Sequence, residues 1–330
     1  MTVPLTLACG DYDRTRPLAD GTVRPLGIDL TCLPMVIEEI FFRMARFGEF
    51  DAAEMSLGSY LVSLSKGSQA PFVAIPAYPS RSFRHSGIYV NTASGIKRPE
   101  DLRGRTVGVA EYQLTANVWI RGILADRHSV PVSSVRYRTG GLHQPGRPEK
   151  LAINLPDDID VAPIPAGETL SGMLAAGTID ALYTPRTPRC FAEGHPAVGR
   201  LFPGYREVEA AYWQDTGIFP IMHVVAIRAD VYRANRWVAR SLLDAFRQSR
   251  SIALAGMTET ASLRYMLPWL PDDVAYVQRV LGTDYWTYGL EGNEKALATI
   301  IRYAFEQGLI PAVSEPRELF APETLEETII

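Results

Sequence analysis

Cysteine is scarce in this chain. Among 330 residues there are three, Cys9, Cys32 and Cys190. They are widely spaced, odd in number and form no CxxC pair, so neither a disulfide framework nor a cysteine-rich zinc site is expected. Long apolar runs are missing too. The most apolar stretch, 218–227, falls far short of the ~18–20 residues of a membrane span, so no membrane partner is expected. Nor is there an excess of positive charge: 33 Lys and Arg against 37 Asp and Glu leave a net charge of −4. That excludes a nucleic acid held on a broad basic face. It leaves room for an anionic small ligand, because a few arginines converging on one site barely register in a net charge. No basic n-region, apolar h-region and small-residue cleavage site precede the first strand-like segment. The pattern of an export signal is therefore not read here, and the cytoplasm is the expected compartment.

What is present is an ordinary globular composition, 47% hydrophobic and 21% charged, with length enough for two cores. Strand-like segments are read at 5–9, 28–33, 50–55, 72–75, 88–90, 105–110, 135–137, 179–183 and 221–227. Helical periodicity, with apolar residues three and four apart, is read at 36–47, 59–64, 115–127, 169–176, 230–257, 272–281 and 293–307. Strands and helices alternate throughout, which predicts an α/β protein with mixed sheets flanked by helices. The expected organisation is two-lobed. Residues 1–88 plus 218–330 form lobe one, residues 89–217 form lobe two, and a ligand cleft lies between them.

Polar groups cluster where strands end. The first strand runs into Gly10, Asp11, Tyr12, Asp13, Arg14, Thr15 and Arg16, and this is how an α/β protein places polar side chains at the rim of its sheet. The 8–16 segment, Phe41-Phe42-Arg43-Met44 and the 50–60 segment (Phe50-Asp51-Ala52-Ala53-Glu54-Met55 onward to Tyr60) closely resemble the 4,5-dihydroxyphthalate decarboxylase family. That family is similar in fold to type 2 periplasmic binding proteins. The 99–109 and 174–182 segments resemble the second lobe of many solute-binding proteins. The resemblance covers essentially the whole chain. It implies a carboxy-lyase acting on a small aromatic dicarboxylate and yielding protocatechuate and carbon dioxide. The alternative on the same scaffold is a non-catalytic solute-binding protein for an aromatic carboxylate.

The implied chemistry sets requirements. Direct loss of carbon dioxide would leave an aryl anion. Protonating the ring carbon while the para hydroxyl gives up its proton avoids that. Such a route needs an acid, a base and a clamp for the spectator carboxylate, and no organic cofactor. His85 is the candidate acid, since histidine titrates near neutrality. His223 is the candidate base, although a histidine in so apolar a run also reads as a core residue. Glu54 is the third catalytic candidate, to meet the catechol hydroxyls or a nearby arginine.

Substrate binding is assigned to Asp11 and Arg14, to Ser56 and Ser59 at a helix start, and to Arg81 and Arg84 in a cation-rich loop. In lobe two it is assigned to Tyr112, Thr115, Tyr183 and Arg186. Arg14 has the alternative of bracing its own loop through Asp11 or Asp13, and Ser56 and Ser59 that of capping the helix. Cys9 reads as a packed strand residue rather than a nucleophile. Asp11, Asp13, Glu54 and a histidine show no metal-ligand spacing, so no metal is assigned. The sequence leaves self-association open.

Overall fold

The computed structural model describes residues 2–65 and 67–325; residues 1, 66 and 326–330, which fall within the lobe-one range read above, lie outside the described residues. In chain order the strands are β1 (Val3–Cys9), β2 (Ile28–Pro34), β3 (Ala52–Ser56), β4 (Phe72–Ile75), β5 (Ile88–Asn91), β6 (Thr106–Val109), β7 (Arg136–Thr139), β8 (Val161–Pro163), β9 (Ala181–Tyr183), β10 (Val198–Arg200) and β11 (His223–Arg228). The helices are α1 (Arg16–Ala19), α2 (Ile37–Phe47), α3 (Leu57–Leu64), α4 (Thr115–His128), α5 (Leu170–Ala176), α6 (Arg189–Ala192), α7 (Tyr205–Thr216), α8 (Ala229–Ala234), α9 (Val238–Met257), α10 (Leu270–Leu281) and α11 (Glu294–Glu306). No described helix is long and apolar enough to cross a membrane.

The chain divides into two compact units. Unit one takes the described residues of 1–81, 221–298 and 314–330; unit two takes 82–220 and 299–313.

Unit one is built on a five-stranded sheet of order β2-β1-β3-β11-β4. β1 runs parallel to β2 and β3, and β11 returns antiparallel between β3 and β4. β3 is buried along its whole length, as an interior strand covered on both faces must be. α2 lays Ile40, Phe41 and Met44 into the core and ends on Gly48, whose left-handed backbone closes the last turn. The long helical pattern at 230–257 is in fact two helices. α8 stops at Asn235, and α9 restarts at Val238 with Val238, Leu242, Leu243, Phe246 and Ser249 buried.

Unit two holds a six-stranded sheet of order β10-β5-β9-β6-β7-β8. β9, β6, β7 and β8 are parallel; β5 runs antiparallel to both β9 and β10. Tyr89, Leu170, Leu174, Ile179 and Leu182 form the centre of one core cluster. The 299–313 stretch, read from sequence as part of lobe one, is tied into this unit by specific contacts. Tyr303 meets Trp119 edge-on at 5.7 Å, and Gln307 donates to the Val118 carbonyl at 2.9 Å. Gly122 is required there, because a β-carbon would overlap the Tyr303 ring. The helix α7 lies in a stretch that the periodicity reading left without an element.

Candidate active site in unit one

The site grows out of strand register. β11 pairs antiparallel with β3, placing His223 opposite Ser56 and Val225 opposite Glu54. Cross-strand partners point to one face, and so do residues two apart on a strand. Glu54, Ser56 and His223 therefore share a face, with Glu54 and His223 diagonal to each other. Their side chains meet: His223 Nδ1 lies 2.5 Å from Glu54 Oε1. α2 supplies the wall, with the Phe41 ring edge-on to the imidazole at 4.8 Å.

The end of β1 completes the arrangement. The Gly10 N–H donates to Glu54 Oε2 at 2.9 Å, and the Tyr12 hydroxyl donates to Glu54 Oε1 at 3.0 Å. Gly10 has a steric reason to be glycine, since a β-carbon would collide with the Tyr12 ring folded back over it. Glu54 is completely buried. Burial would push its carboxyl up, but the hydrogen bond and charge of His223, with donation from Gly10 and Tyr12, outweigh burial and hold it below the usual carboxylate value. An ionised Glu54 fixes the histidine tautomer, because Nδ1 must then carry the proton it donates. The opposite nitrogen, Nε2, has no hydrogen-bond partner among the described residues, and the side chain is 11% exposed.

Arg14 is held on every side but one. Its guanidinium sits over the Tyr12 ring at 4.1 Å and over the Trp286 ring at 4.5 Å. Nε donates to the Pro79 carbonyl, and Nη1 pairs with Asp13 at 3.0 Å. Nη2 has no hydrogen-bond partner among the described residues, so this edge remains to receive an anion.

Several sequence assignments change. Glu54 is expected from sequence to meet catechol hydroxyls or an arginine, but it is fully buried and its oxygens are occupied by Gly10, Tyr12 and His223. Asp11 turns away to an exposed ion pair with Arg16 at 2.7 Å, so it is a surface residue. Arg81 is buried in unit one, where Nη2 donates to the Thr287 carbonyl at 2.8 Å and to Asn293; it braces the 282–293 connection. Ser56 stands at the N-cap of α3 but makes no side-chain cap bond. Ser59 is buried in the first turn, and its hydroxyl has no partner among the described residues.

Arg84 and His85 belong to unit two. His85 packs against Phe202 and Tyr212. Burial, then the charges of His128 and Arg127, push its pKa down to about 4. A ring that is neutral at pH 7 is no imidazolium and keeps only its single N–H, a far weaker acid than the role assigned to His85 calls for. Burial also lowers Arg84, to about 10, against the opposing charge of Glu209.

Tyr112 and Tyr183 are core residues of unit two, both at most 1% exposed. The Tyr112 hydroxyl donates to the Gln307 carbonyl at 3.1 Å, and Arg121 covers its ring at 3.8 Å. Burial pushes the Tyr183 phenol up. Thr115 is the first residue of α4, whose N-cap is Leu114, with no side-chain cap bond. Arg186 lies exposed in the break after β9, its N–H on Thr184 Oγ1 at 3.1 Å. Cys9 is buried, and its thiol is pushed well up, by burial first and by the Glu54 charge second, which suits packing and not nucleophilic attack. No group of three His, Cys, Asp or Glu among the described residues is placed to hold a metal ion.

Sequence reasoning missed Trp286 and gave Tyr12 no specific role. The signal for Trp286 was there: Tyr285-Trp286-Thr287-Tyr288 is an aromatic run between Gly282 and Gly289, outside any helical pattern.

No family model matches the chain. Over 322 residues it is 38% identical to the 4,5-dihydroxyphthalate decarboxylase of Comamonas testosteroni, covering 98% of this chain and 97% of that one. Over 207 residues it is 46% identical to the enzyme of the same name from Pseudomonas putida, covering 63% of this chain and 79% of that one. Among solved structures it is similar to the periplasmic aliphatic sulphonate binding protein of Escherichia coli, with TM-score 0.53, 13% identity and coverage of 98% and 99% of the two chains. It is similar also to the alkanesulfonate-binding protein of Xanthomonas axonopodis pv. citri, with TM-score 0.52, 15% identity and coverage of 96% and 98%. At such identities the structural likeness shows the fold alone, a periplasmic-binding-protein-like α/β architecture. The curated relatives go further, and the chain belongs to the 4,5-dihydroxyphthalate decarboxylase family.

Proposed function

We propose that this protein removes one carboxylate from 4,5-dihydroxyphthalate, or a close hydroxylated aromatic acid, giving protocatechuate and carbon dioxide. Family membership supports the reaction class. The observation that carries the chemistry is the Glu54–His223 pair: Nδ1 is engaged by a buried carboxylate at 2.5 Å, and Nε2 has no hydrogen-bond partner among the described residues. In this reading Nε2 takes the proton of the hydroxyl para to the departing carboxylate. Electron density moves into the ring, whose carboxylate-bearing carbon takes up a proton drawn from solvent. The C–C bond to the carboxylate then breaks, carbon dioxide leaves, and His223 returns its proton to the phenolate. Glu54 stabilises the imidazolium formed in between, as a buried carboxylate does behind a catalytic histidine. Arg14 Nη2 holds the spectator carboxylate.

The phenol itself supplies the electron push, so the reading requires neither an organic cofactor nor a metal. It also puts the protein in the cytoplasm; the three cysteines are unbridged, as a reducing compartment keeps them. The test is incubation of purified protein with 4,5-dihydroxyphthalate, following both products by chromatography and gas capture. One equivalent each of protocatechuate and carbon dioxide is expected, with turnover surviving exhaustive chelation. Intact substrate overturns the reaction. Turnover lost on chelation and restored by a divalent ion overturns its metal independence.

A further inference from the structure

Arginine is a weakly directed group when solvated, since its long side chain is mobile and its five donors address water on all sides. Arg14 is not in that state. Two aromatic rings lie against its guanidinium, Tyr12 at 4.1 Å and Trp286 at 4.5 Å, and two of its three nitrogens are occupied by Pro79 and Asp13. Tyr12 is fixed by its hydrogen bond to Glu54. Trp286 comes from the connection between α10 and α11, far along the chain, and is fixed separately. Its indole N–H donates to the Tyr78 carbonyl at 3.0 Å, and its own carbonyl accepts from Arg250 Nη1 at 2.8 Å. Arg250 is in turn paired with Asp284 at 3.2 Å. Tyr78 is tied to the same connection by its hydroxyl on the Gly289 carbonyl at 3.0 Å. An aromatic ring fixed from a remote part of the chain is thus held against Arg14, beside the Tyr12 ring supplied by the end of β1.

We infer that Trp286 is a positioning residue for substrate recognition: it stacks on Arg14 and presents the Nη2 edge to a single carboxylate of an aromatic dianion. This rests on the reading of Arg14 as the clamp. It assigns Trp286 a part in affinity and none in proton transfer. Stacking keeps water off the guanidinium face and removes the alternative rotamers, so less freedom is lost when a carboxylate arrives.

Phthalate is the probe, because it carries both carboxylates and lacks the hydroxyls needed for reaction. Its affinity for the whole protein is measured by calorimetry in wild type, Trp286→Leu, Arg14→Gln and the double variant. Loss of the stack is expected to weaken phthalate about tenfold. It is expected to raise KM for the hydroxylated substrate to match, with kcat little changed. In the Arg14→Gln background the Trp286→Leu change is expected to have no further effect. Wild-type affinity in Trp286→Leu, or an undiminished effect in the double variant, overturns the inference. A second measurement does not depend on the leucine variant folding. The wild-type protein, with its five tryptophans labelled as 5-fluorotryptophan, is titrated with phthalate and followed by fluorine NMR. The Trp286 signal, identified by its absence in Trp286→Phe, is expected to shift with saturation and to stay still in Arg14→Gln. A Trp286 signal unmoved in wild type overturns the inference. Phthalate binding that follows this pattern in a protein with no decarboxylase activity would sink the proposed reaction and leave the role of Trp286 standing.

Discussion

Among the described residues two glutamates are buried, one in each unit, and they are held in opposite ways. Glu54 in unit one, 0% exposed, accepts from a backbone N–H, a phenol and an imidazole. Glu111 in unit two, 1% exposed, sits between two cations: Lys150 Nζ lies 2.5 and 2.6 Å from its two oxygens, and Arg147 Nη2 lies 2.7 Å away. Burial alone therefore does not mark a reactive carboxylate. What separates the two is the partner. The imidazole on Glu54 has a second nitrogen with a lone pair that can take and return a proton. The ammonium and guanidinium on Glu111 have no such atom. Burial lowers the Lys150 pKa and the Glu111 charge works against it, so the pair clasps the 140–156 loop to the end of β6 as a fixed ionic lock.

That contrast breaks most sharply at His223. His223→Asn is expected to lower kcat by about 10³-fold, the scale of lost general base catalysis, with the fold retained by circular dichroism. Glu54→Gln keeps the size of the side chain but removes the charge that stabilises the imidazolium; a fall in kcat of about 10²–10³-fold is expected. Full turnover in either variant would remove the pair from the chemistry. Glu111→Gln should behave in the reverse manner. It leaves Lys150 buried without its counter-charge, a loss of about 3–5 kcal/mol in urea unfolding, while turnover per folded molecule is unchanged. A Glu111→Gln protein as stable as wild type would mean that the lock is solvated in solution.

His85 sharpens the comparison by titration. Its folded pKa is depressed from 6.5 to about 4, chiefly by burial. Between those values the unfolded chain binds a proton and the folded one does not. The stabilising contribution is therefore complete above pH 6.5 and lost as pH falls through 4, amounting to about 3 kcal/mol. His85→Phe is expected to flatten the stability profile in that window. A slope unchanged by the substitution would show that another group carries it.

The architecture was legible because strands and helices announce themselves locally. β4 was read at its observed bounds, and α2, α4 and α10 to within two residues at each end, since apolar periodicity is a property of neighbours in sequence. His223 and Glu54 were each visible as candidates, but their meeting depends on the register of β11 against β3, across 169 positions, which no local pattern encodes. For His85 the difference is one of environment. A histidine in a cation-rich loop reads as exposed and titrating, and only the tertiary packing against Phe202 and Tyr212 buries it, which lowers its pKa. Tyr112 and Tyr183 failed for a related reason, because residues just after or at the end of a strand can turn into the core as readily as toward a ligand. The aromatic run around Trp286 was overlooked because it belongs to neither period.

The smallest expected effect separates the two functions of Tyr12. Its hydroxyl bonds Glu54 and its ring covers Arg14. Burial, then the charge and hydrogen bond of Glu54, push the phenol far up, so it stays protonated and serves as a donor. Tyr12→Phe deletes the bond and keeps the ring. Glu54 retains the Gly10 N–H and the imidazole, so a stability loss of about 1 kcal/mol is expected, with KM unchanged and kcat reduced far less than in His223→Asn. Tyr12→Leu removes the ring as well and should raise KM as loss of the Trp286 stack does. If Tyr12→Phe instead abolishes turnover, the phenol and not the imidazole is the group that handles the proton, and the difference drawn between Glu54 and Glu111 would then rest on the wrong partner.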